Sequence, residues 1–202
     1  MKKIPTLFER LYDENGKVIG ITDVVKPGFE WVLAGEGQAT IKADGSCCAI
    51  LNGELYKRYD AKKGKTPPEG AIPCQPEPDP VTGHWPHWVK CDAGNPADRW
   101  YIEAFNMFRD SYNLVIPGTY EAIGQHFNGN PYNLPFDTLV KHGDFVLPFF
   151  PRDFKGIKNA LSHADIEGVV FWKDGEAQCK IKRTDFSFMW PTPLAYYKEE
   201  DI

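Results

Sequence analysis

The spacing of apolar and polar positions predicts helices in the middle of the chain and strands elsewhere. Asn95 followed by Pro96 predicts a helix start, because proline fits the first turn of a helix. Apolar residues then recur at helical spacing, at Trp100, Ala104, Phe105, Phe108 and Tyr112. A second helix is predicted from about Asp153 to His163, and a short helical turn before Gly143.

A β-hairpin is predicted near the end of the chain. Asp174-Gly175 lies between apolar runs at 167–173 and 176–183, which favours a two-residue type I′ turn. Counting back from this turn pairs Lys173 with Glu176, Val169 with Lys180, and Glu167 with Lys182. A carboxylate, two amines and apolar side chains then share one face. This mixture favours a ligand pocket over a set of surface ion pairs.

The length and composition predict one globular domain spanning residues 1–202. The chain is 14% aromatic, and no apolar run reaches the length of a membrane span. A segment rich in proline and glycine, residues 66–96, is expected to form an ordered insert because it contains Trp85 and Trp88. With no secretory signal evident, we expect a cytoplasmic or nuclear protein.

The charge limits any nucleic-acid site to a local patch. A formal net charge of -5 argues against indiscriminate binding to phosphate backbones, which depends on an excess of Lys and Arg. A basic segment nevertheless includes Lys57, Arg58, Lys62, Lys63 and Lys65. It is either a solvated loop or a local contact for nucleic acid.

The cysteines predict a reducing compartment. There are 5 of them, and an odd number with an adjacent pair at Cys47 and Cys48 makes a poor disulfide framework. Most are expected to be buried thiols. A zinc site remains an alternative, with ligands Cys74, His84, His87 and Cys91, although their spacing matches no standard zinc finger.

The segment ATIKADGSCCAI contains a lysine placed at the end of a strand. Thr40 and Lys42 alternate as in a strand, and the pattern breaks at Asp44-Gly45. The tetrapeptide Lys42-Ala43-Asp44-Gly45 is also typical of a simple hairpin turn. Further motifs are needed to distinguish a turn from a catalytic lysine.

Those further motifs follow in order along the chain. They are Lys42-Ala43-Asp44-Gly45, Arg58 in LYKRYD, Glu121 in TYEAIG, Glu167 in IEGVVF, and Lys180-Ile181-Lys182. Together they resemble the covalent nucleotidyltransferases, which comprise ATP-dependent ligases and messenger-RNA capping enzymes. The segments KADGSCCAI, LYKRYDAKKGKTPP, PDPVTGHWP and TYEAIGQHFNGNPYN look most like the small 5′-3′ RNA ligases of the vertebrate type.

The resemblance implies an α+β nucleotidyltransferase (adenylation) domain, with antiparallel sheets around an ATP cleft and helices outside. Only twenty residues follow Lys182, so we expect no appended OB-fold. The implied activity is ATP-dependent joining of 5′-phosphate and 3′-hydroxyl RNA ends by a monomer, with Mg²⁺ as cofactor and Mn²⁺ as a substitute. Alternatives are a DNA ligase, a GTP-using capping-type enzyme, or a non-catalytic domain that binds nucleotide or RNA.

The resemblance also implies roles for individual residues. Lys42, within the motif that includes Asp44 and Gly45, would carry AMP. The other expected contacts are Lys180 and Lys182 with the α-phosphate, Glu121 with the ribose, Glu167 with the metal, and Arg58 with the nucleotide or the incoming end. Val169 would support one adenine face, Phe149 or Phe150 would cover the other, and Thr40 would lie near the base edge. Lys57, Lys62, Lys63 and Lys65 would hold the RNA end.

This chemistry requires an uncharged amine at position 42. Attack on the α-phosphate needs a lone pair, which a charged lysine lacks. We expect Lys180, Lys182, bound magnesium and partial burial to disfavour a further positive charge there. The same cations would stabilise the negative charge that develops as pyrophosphate leaves.

Overall fold

The structure, a computed structural model, describes residues 2–112 and 115–192. The strands are β1 (Phe8–Tyr12), β2 (Val18–Val25), β3 (Gln38–Lys42), β4 (Ser46–Leu51), β5 (Glu54–Ala61), β6 (Ile72–Pro73), β7 (Trp85–Lys90), β8 (Gly118–Ile123), β9 (Thr138–Lys141), β10 (Gly168–Lys173) and β11 (Glu176–Lys182). The helices are α1 (Glu30–Leu33), α2 (Arg99–Tyr112) and α3 (Phe154–His163), with 3₁₀ helices at Pro96–Asp98 and Arg183–Phe186. Neighbouring strands pair antiparallel, which confirms the predicted α+β class with antiparallel sheets.

The chain divides into two compact units. The first contains Ala43–Asp144 and the residues up to Ile4, and the second contains Pro5–Lys42 and the chain from Phe145 onward. The chain therefore leaves the second unit directly after Lys42. A single domain stays a prediction, and one cooperative unfolding transition is its test.

The first unit is built on one sheet, which we name the large sheet, in the order β6-β7-β5-β4-β8-β9. Helix α2 covers one face, where buried Ala104 packs among Cys48, Ile50 and Tyr120. The predicted helix start is the start of the 3₁₀ helix Pro96–Asp98, which leads directly into α2: the side chain of Asn95 caps it by accepting a hydrogen bond from the N–H of Ala97 at 3.1 Å.

The second unit is built on a small sheet in the order β11-β10-β3, together with the β1–β2 hairpin. Helix α3 packs Ile157 and Leu161 into its core, beside Val169 and Phe171 of β10. The Asp153 side chain caps this helix by accepting from the N–H of Gly156 at 2.9 Å, as the predicted helix start requires.

The proline-rich insert is ordered, as predicted, and contributes two strands to the large sheet. Strand β7 pairs with β5 along its length, and β6 pairs with β7. The indole of Trp85 donates to the carbonyl of Gln75 at 2.8 Å, and Trp88 is buried. Its aromatic residues therefore hold the segment against the sheet.

One predicted element, the helical turn before Gly143, is wrong. The segment before Gly143 is strand β9, because its side chains pack in strand alternation against β8.

Across residues 2–112 and 115–192, every helix is too short or too polar to cross a bilayer.

Candidate active site

Lys42 is the last residue of β3, at the edge of the small sheet. Beside it, the N–H of Ile41 donates to the carbonyl of Phe145 at 2.9 Å, and Val146 bridges to Thr40. The strand is therefore held on both sides. The Lys42 ammonium group donates to Glu167 Oε2 in a short ion pair.

The residues around Lys42 are set by strand pairing. Directly paired residues of antiparallel strands point to the same side of the sheet. The pairs on this side, which we name the lysine face, are Lys42 with Gly168, Lys182 with Gly168, Thr40 with Val170, and Lys180 with Val170. The small sheet thus brings Lys42, Lys180 and Lys182 together, as the sequence predicted.

The lysine face carries more positive than negative charge. Glu167 is 6% exposed and also lies 3.5 Å from the ammonium group of Lys182. Burial, followed by the charges of Lys42 and Lys182, lowers the pKa of Lys180 to about 8, against a raising effect of Glu167. Ammonium groups that crowd one buried carboxylate suit an incoming anion such as a phosphate.

The predicted register of the hairpin is wrong by one residue. The turn itself is as predicted, since Lys173 pairs with Glu176 and both turn residues have positive φ. A β-bulge at Gln178 then shifts the pairing, because Phe171 faces Cys179 while Trp172 faces Ala177. Val169 consequently faces Ile181, not Lys180.

This shift corrects the predicted adenine platform. Val169 is 0% exposed and belongs to the core beside α3, so it offers no surface to a nucleotide. Val170 lies on the lysine face, between Thr40 and Lys180. Of the two valines, Val170 is therefore the one on the lysine face, and its side chain is 7% exposed.

The other residues predicted to contact the base are Phe149 or Phe150 and Thr40, and their environments differ. The ring of Phe149 is 96% exposed, whereas Phe150 packs against the core with its ring 6.3 Å from that of Phe171. Phe149 is the one available for stacking. Thr40 is buried, and its hydroxyl accepts from the indole of Trp172 at 2.8 Å, so it anchors a neighbouring side chain.

Asp44 and Gly45 lie in the first unit, directly after Ala43, and both have structural reasons for their identity. The Asp44 carboxylate accepts from the Asn128 amide at 2.6 Å, and its N–H donates to the Tyr132 hydroxyl at 2.7 Å. A Cβ at Gly45 would lie 2.1 Å from the carbonyl oxygen of Ala122. The segment after Lys42 is thus tied to the loop that follows β8, which the sequence pattern did not reveal.

Arg58 and Glu121 lie on one face of the large sheet, opposite the face that α2 covers. Cys47 pairs directly with Glu121, and Cys48 pairs with Lys57, so alternation puts Arg58 on the side of Cys47. Arg58 donates to the Asp60 carboxylate at 3.1 Å. Its Nε is buried and has no hydrogen-bond partner within residues 2–112 and 115–192.

His142 completes this face and was missed from the sequence. Its Nε2 lies 2.9 Å from Glu121 Oε2, and its Nδ1 lies 3.0 Å from Thr119 Oγ1. Predicting this contact requires the pairing of β8 with β9, which are separated by a long loop. We name Cys47, Glu121 and His142 the cysteine-glutamate-histidine cluster.

The basic segment is divided by the structure. Lys57 forms a short ion pair with Asp98, whose side chain is 2% exposed while that of Lys57 is 22% exposed, so this lysine serves a structural ion pair, which argues against its predicted RNA contact. Lys62, Lys63 and Lys65 are exposed in the turn after β5. They keep the predicted role of a basic patch.

The proposed zinc ligands do not assemble. His87 lies within β7, and its Nδ1 contacts the carbonyl of Trp85 at 2.8 Å. Across the described ranges, Cys74, His84, His87 and Cys91 do not form a cluster of ligand atoms within 4.8 Å of one another. The ligand atoms of the cysteine-glutamate-histidine cluster, in contrast, all lie within 4.8 Å of one another.

Comparison with known proteins relates the chain to one group of enzymes. No protein-family model matches it. RNA ligase 1 of Mus musculus is 25% identical over an alignment that spans 81% of this chain and 71% of the mouse protein. RNA ligase 1 of Rattus norvegicus is 24% identical and that of Pongo abelii 23% identical, with the same coverage. This chain is therefore a distant relative of the vertebrate-type RNA ligases.

Proposed function

We propose that the protein is an ATP-dependent RNA ligase that acts through a covalent lysyl-AMP intermediate on Lys42. The observation that carries the proposal is the lysine face, where Lys42 ends a strand beside Glu167 and shares one side of the sheet with Lys180 and Lys182. A nucleotide-binding domain without catalysis has no need for an amine held in this way. The relationship to proteins named RNA ligase 1 supports the same activity.

In the first step, the uncharged amine of Lys42 attacks the α-phosphorus of ATP. A P–N bond forms, the P–O bond to the β-phosphate breaks, and pyrophosphate leaves with the electron pair. The ammonium group of Lys42 first gives one proton to the carboxylate of Glu167, which already accepts a hydrogen bond from Nζ, and the second proton leaves with pyrophosphate. Lys180 and Lys182 would stabilise the negative charge that develops on the phosphate oxygens.

Glu167 also suits the magnesium ion that this chemistry uses. Mg²⁺ is commonly bound through one or two carboxylates together with substrate phosphates, and a single buried carboxylate beside the phosphate position fits that pattern. When bound, the ion would supply positive charge that neutralises the triphosphate.

The other nucleotide contacts are assigned by resemblance, adjusted by the geometry. Val170 would support the adenine and Phe149 would cover it, while Glu121 would contact the ribose and Arg58 the nucleotide or the incoming 5′ end. The unsatisfied, buried Nε of Arg58 supports a polar ligand for that side chain.

The later steps use the bound AMP. A 5′-phosphate oxygen of RNA would attack the lysyl-AMP phosphorus and break the P–N bond, and a 3′-hydroxyl would then displace AMP from the activated end. Lys62, Lys63 and Lys65 would hold the RNA backbone through its phosphates.

Incubation with ATP radiolabelled at the α-phosphate tests the proposal. We expect label on the polypeptide that acid removes and alkali does not, and we expect Lys42→Ala to abolish it. The matched control is Lys155→Ala, which removes an exposed lysine of α3 in the same unit. Retention of label by Lys42→Ala would refute the assignment.

Substrate competition separates the alternatives. With an ATP-using RNA ligase, label comes from ATP and not from GTP, and 5′-phosphorylated RNA is joined in preference to matched DNA. Label from GTP would indicate a capping-type enzyme instead. Preference for DNA would indicate a DNA ligase, and ATP binding without release of pyrophosphate would indicate a non-catalytic domain.

A further inference from the structure

The cysteine-glutamate-histidine cluster lies on the face of the large sheet opposite the one that α2 covers. It brings a thiol sulfur, a carboxylate oxygen and an imidazole nitrogen to within 4.8 Å of one another. Ligand atoms of a tetrahedral zinc site lie about 3.3 to 3.8 Å apart, given zinc-ligand bonds of about 2.0 to 2.3 Å. Small side-chain rotations therefore suffice to close the cluster around one ion.

The three side chains come from β4, β8 and the residue directly after β9, and each is firmly placed. Cys47 and Glu121 are directly paired residues of β4 and β8, and His142 follows β9 with its N–H donating to the carbonyl of Thr119 at 3.0 Å. The side chains of Glu121 and His142 are 12% and 15% exposed. The donors are thus held by a rigid sheet yet accessible to a small ion.

His142 already has the outer contact that metal-binding histidines need. Its Nδ1 contacts the Thr119 hydroxyl at 3.0 Å while Nε2 faces Glu121. A hydroxyl both donates and accepts, so Thr119 can support either tautomer of the ring. When an ion takes the lone pair of Nε2, Nδ1–H donates to Thr119, which fixes the ring orientation.

We propose that Cys47, Glu121 and His142 form a binding site for a soft divalent transition-metal ion, with Zn²⁺ as the best match. Thiolate and imidazole ligands select zinc over magnesium. The Cys47 thiolate and the Glu121 carboxylate together neutralise the charge of the ion, and a water molecule would fill the fourth position. Binding displaces the thiol proton of Cys47 to solvent, and the imidazole of His142 keeps its one proton on Nδ1, where it donates to Thr119.

The state of Cys47 without metal agrees with this exchange. Burial, followed by the negative charge of Glu121, raises the pKa of its thiol to about 12. The free thiol is therefore unreactive at neutral pH, and a nearby divalent cation reverses the balance by stabilising the thiolate.

The site has a consequence for activity that rests on the proposed function. Glu121 is the residue expected to contact the ribose, so it cannot serve the metal and the nucleotide together. Zn²⁺ would then inhibit adenylylation in competition with ATP. Cys47→Ser would keep the labelling of Lys42 at Zn²⁺ concentrations that suppress it in the wild type.

Cobalt binding tests the site without any use of ATP. We expect the reduced protein to bind one Co²⁺ per chain, with a thiolate-to-cobalt charge-transfer band in the near ultraviolet that Zn²⁺ abolishes. Cys47→Ser should remove the band, and His142→Asn should weaken binding at least about 100-fold. Thr119→Val, which removes only the outer contact, should weaken it about 10-fold.

Cys91→Ser is the matched control, because Cys91 is a partly buried thiol outside the cluster, and it should keep the band. Circular dichroism of each variant would establish folding. Absence of stoichiometric Co²⁺ binding in the wild type would overturn the proposal, as would a band that persists in both Cys47→Ser and His142→Asn. Because this readout needs no catalysis, it fails or succeeds independently of the ligase proposal.

Discussion

Lys180 provides a pH-dependent test of nucleotide binding at the lysine face. Burial, followed by the charges of Lys42 and Lys182, lowers the pKa of Lys180 to about 8. A bound phosphate would favour the charged form and raise this pKa. The free protein therefore loses the Lys180 proton above about pH 8, and ATP binding must restore it, so affinity for ATP falls as pH rises through this region.

The size of the effect follows from the titration of one group. With a pKa of about 8, the charged fraction of Lys180 falls from about nine-tenths at pH 7 to about one-tenth at pH 9. If only the charged form binds phosphate, affinity falls about 10-fold over this range, and about half a proton is taken up for each nucleotide bound at pH 8.

Calorimetry measures both quantities. An ATP analogue with a methylene bridge between the α- and β-phosphates prevents cleavage, and titration in two buffers of different ionisation enthalpy gives the proton uptake. Lys180→Gln should abolish the uptake, whereas Lys158→Gln, on the exposed side of α3, should leave it intact. Equal affinity at pH 7 and pH 9 with no uptake in the wild type would refute the reasoning.

Five further substitutions test the observed packing and ion pairing. Val169→Ala should cost about 2 kcal/mol of unfolding free energy in denaturant titrations and leave KM for ATP unchanged, because this side chain is in the core. Val170→Ala should raise that KM, and the opposite assignment of the two effects would contradict the observed register. Gly45→Ala should lower the melting temperature strongly, since its Cβ would lie 2.1 Å from a backbone oxygen; a normal melting curve would exclude that contact. Lys57→Met should cost about 3 kcal/mol in the same titrations because it leaves a buried carboxylate unpaired. Lys62→Met should leave stability unchanged and reduce the salt dependence of RNA binding by about one phosphate contact, and the reverse pattern would reassign the two lysines.

The sequence predicted the elements whose signals are local. Asn95-Pro96 and Asp153 mark the starts of α2 and α3, because capping depends on residues within a few positions of one another. Asp174-Gly175 marks the hairpin tip for the same reason, since positive φ is favourable at these residue types. These predictions required no knowledge of the rest of the chain.

The sequence failed where distant residues decide the structure. The bulge at Gln178 leaves no clear mark in the alternation of side chains, yet it moves Val170 instead of Val169 to the lysine face. Lys57 looked like a member of a basic loop until the fold brought the buried Asp98 against it. Lys57 differs from the neighbouring lysines because its partner Asp98 is buried, and that burial is a property of the fold.

The candidate site shows the same division between local motifs and long-range pairing. The motifs identified Lys42, Lys180 and Lys182, because each lies in a short pattern that the chemistry requires at fixed spacing. His142 was not identified, since its contact with Glu121 exists only through the pairing of β8 and β9. Sequence motifs therefore located the proposed chemistry but missed the polar side chain that lies against Glu121.

Mass spectrometry of peptides from protein incubated with ATP and Mg²⁺ tests the central proposal most directly. Lys42 and Lys180 share the lysine face, and burial lowers the pKa of Lys180 to about 8. Lys180 is therefore the rival nucleophile. We expect the mass of one adenylyl group on the peptide containing Lys42, at Lys42 itself. An adenylyl group on Lys180 instead, or on neither residue, would contradict the account.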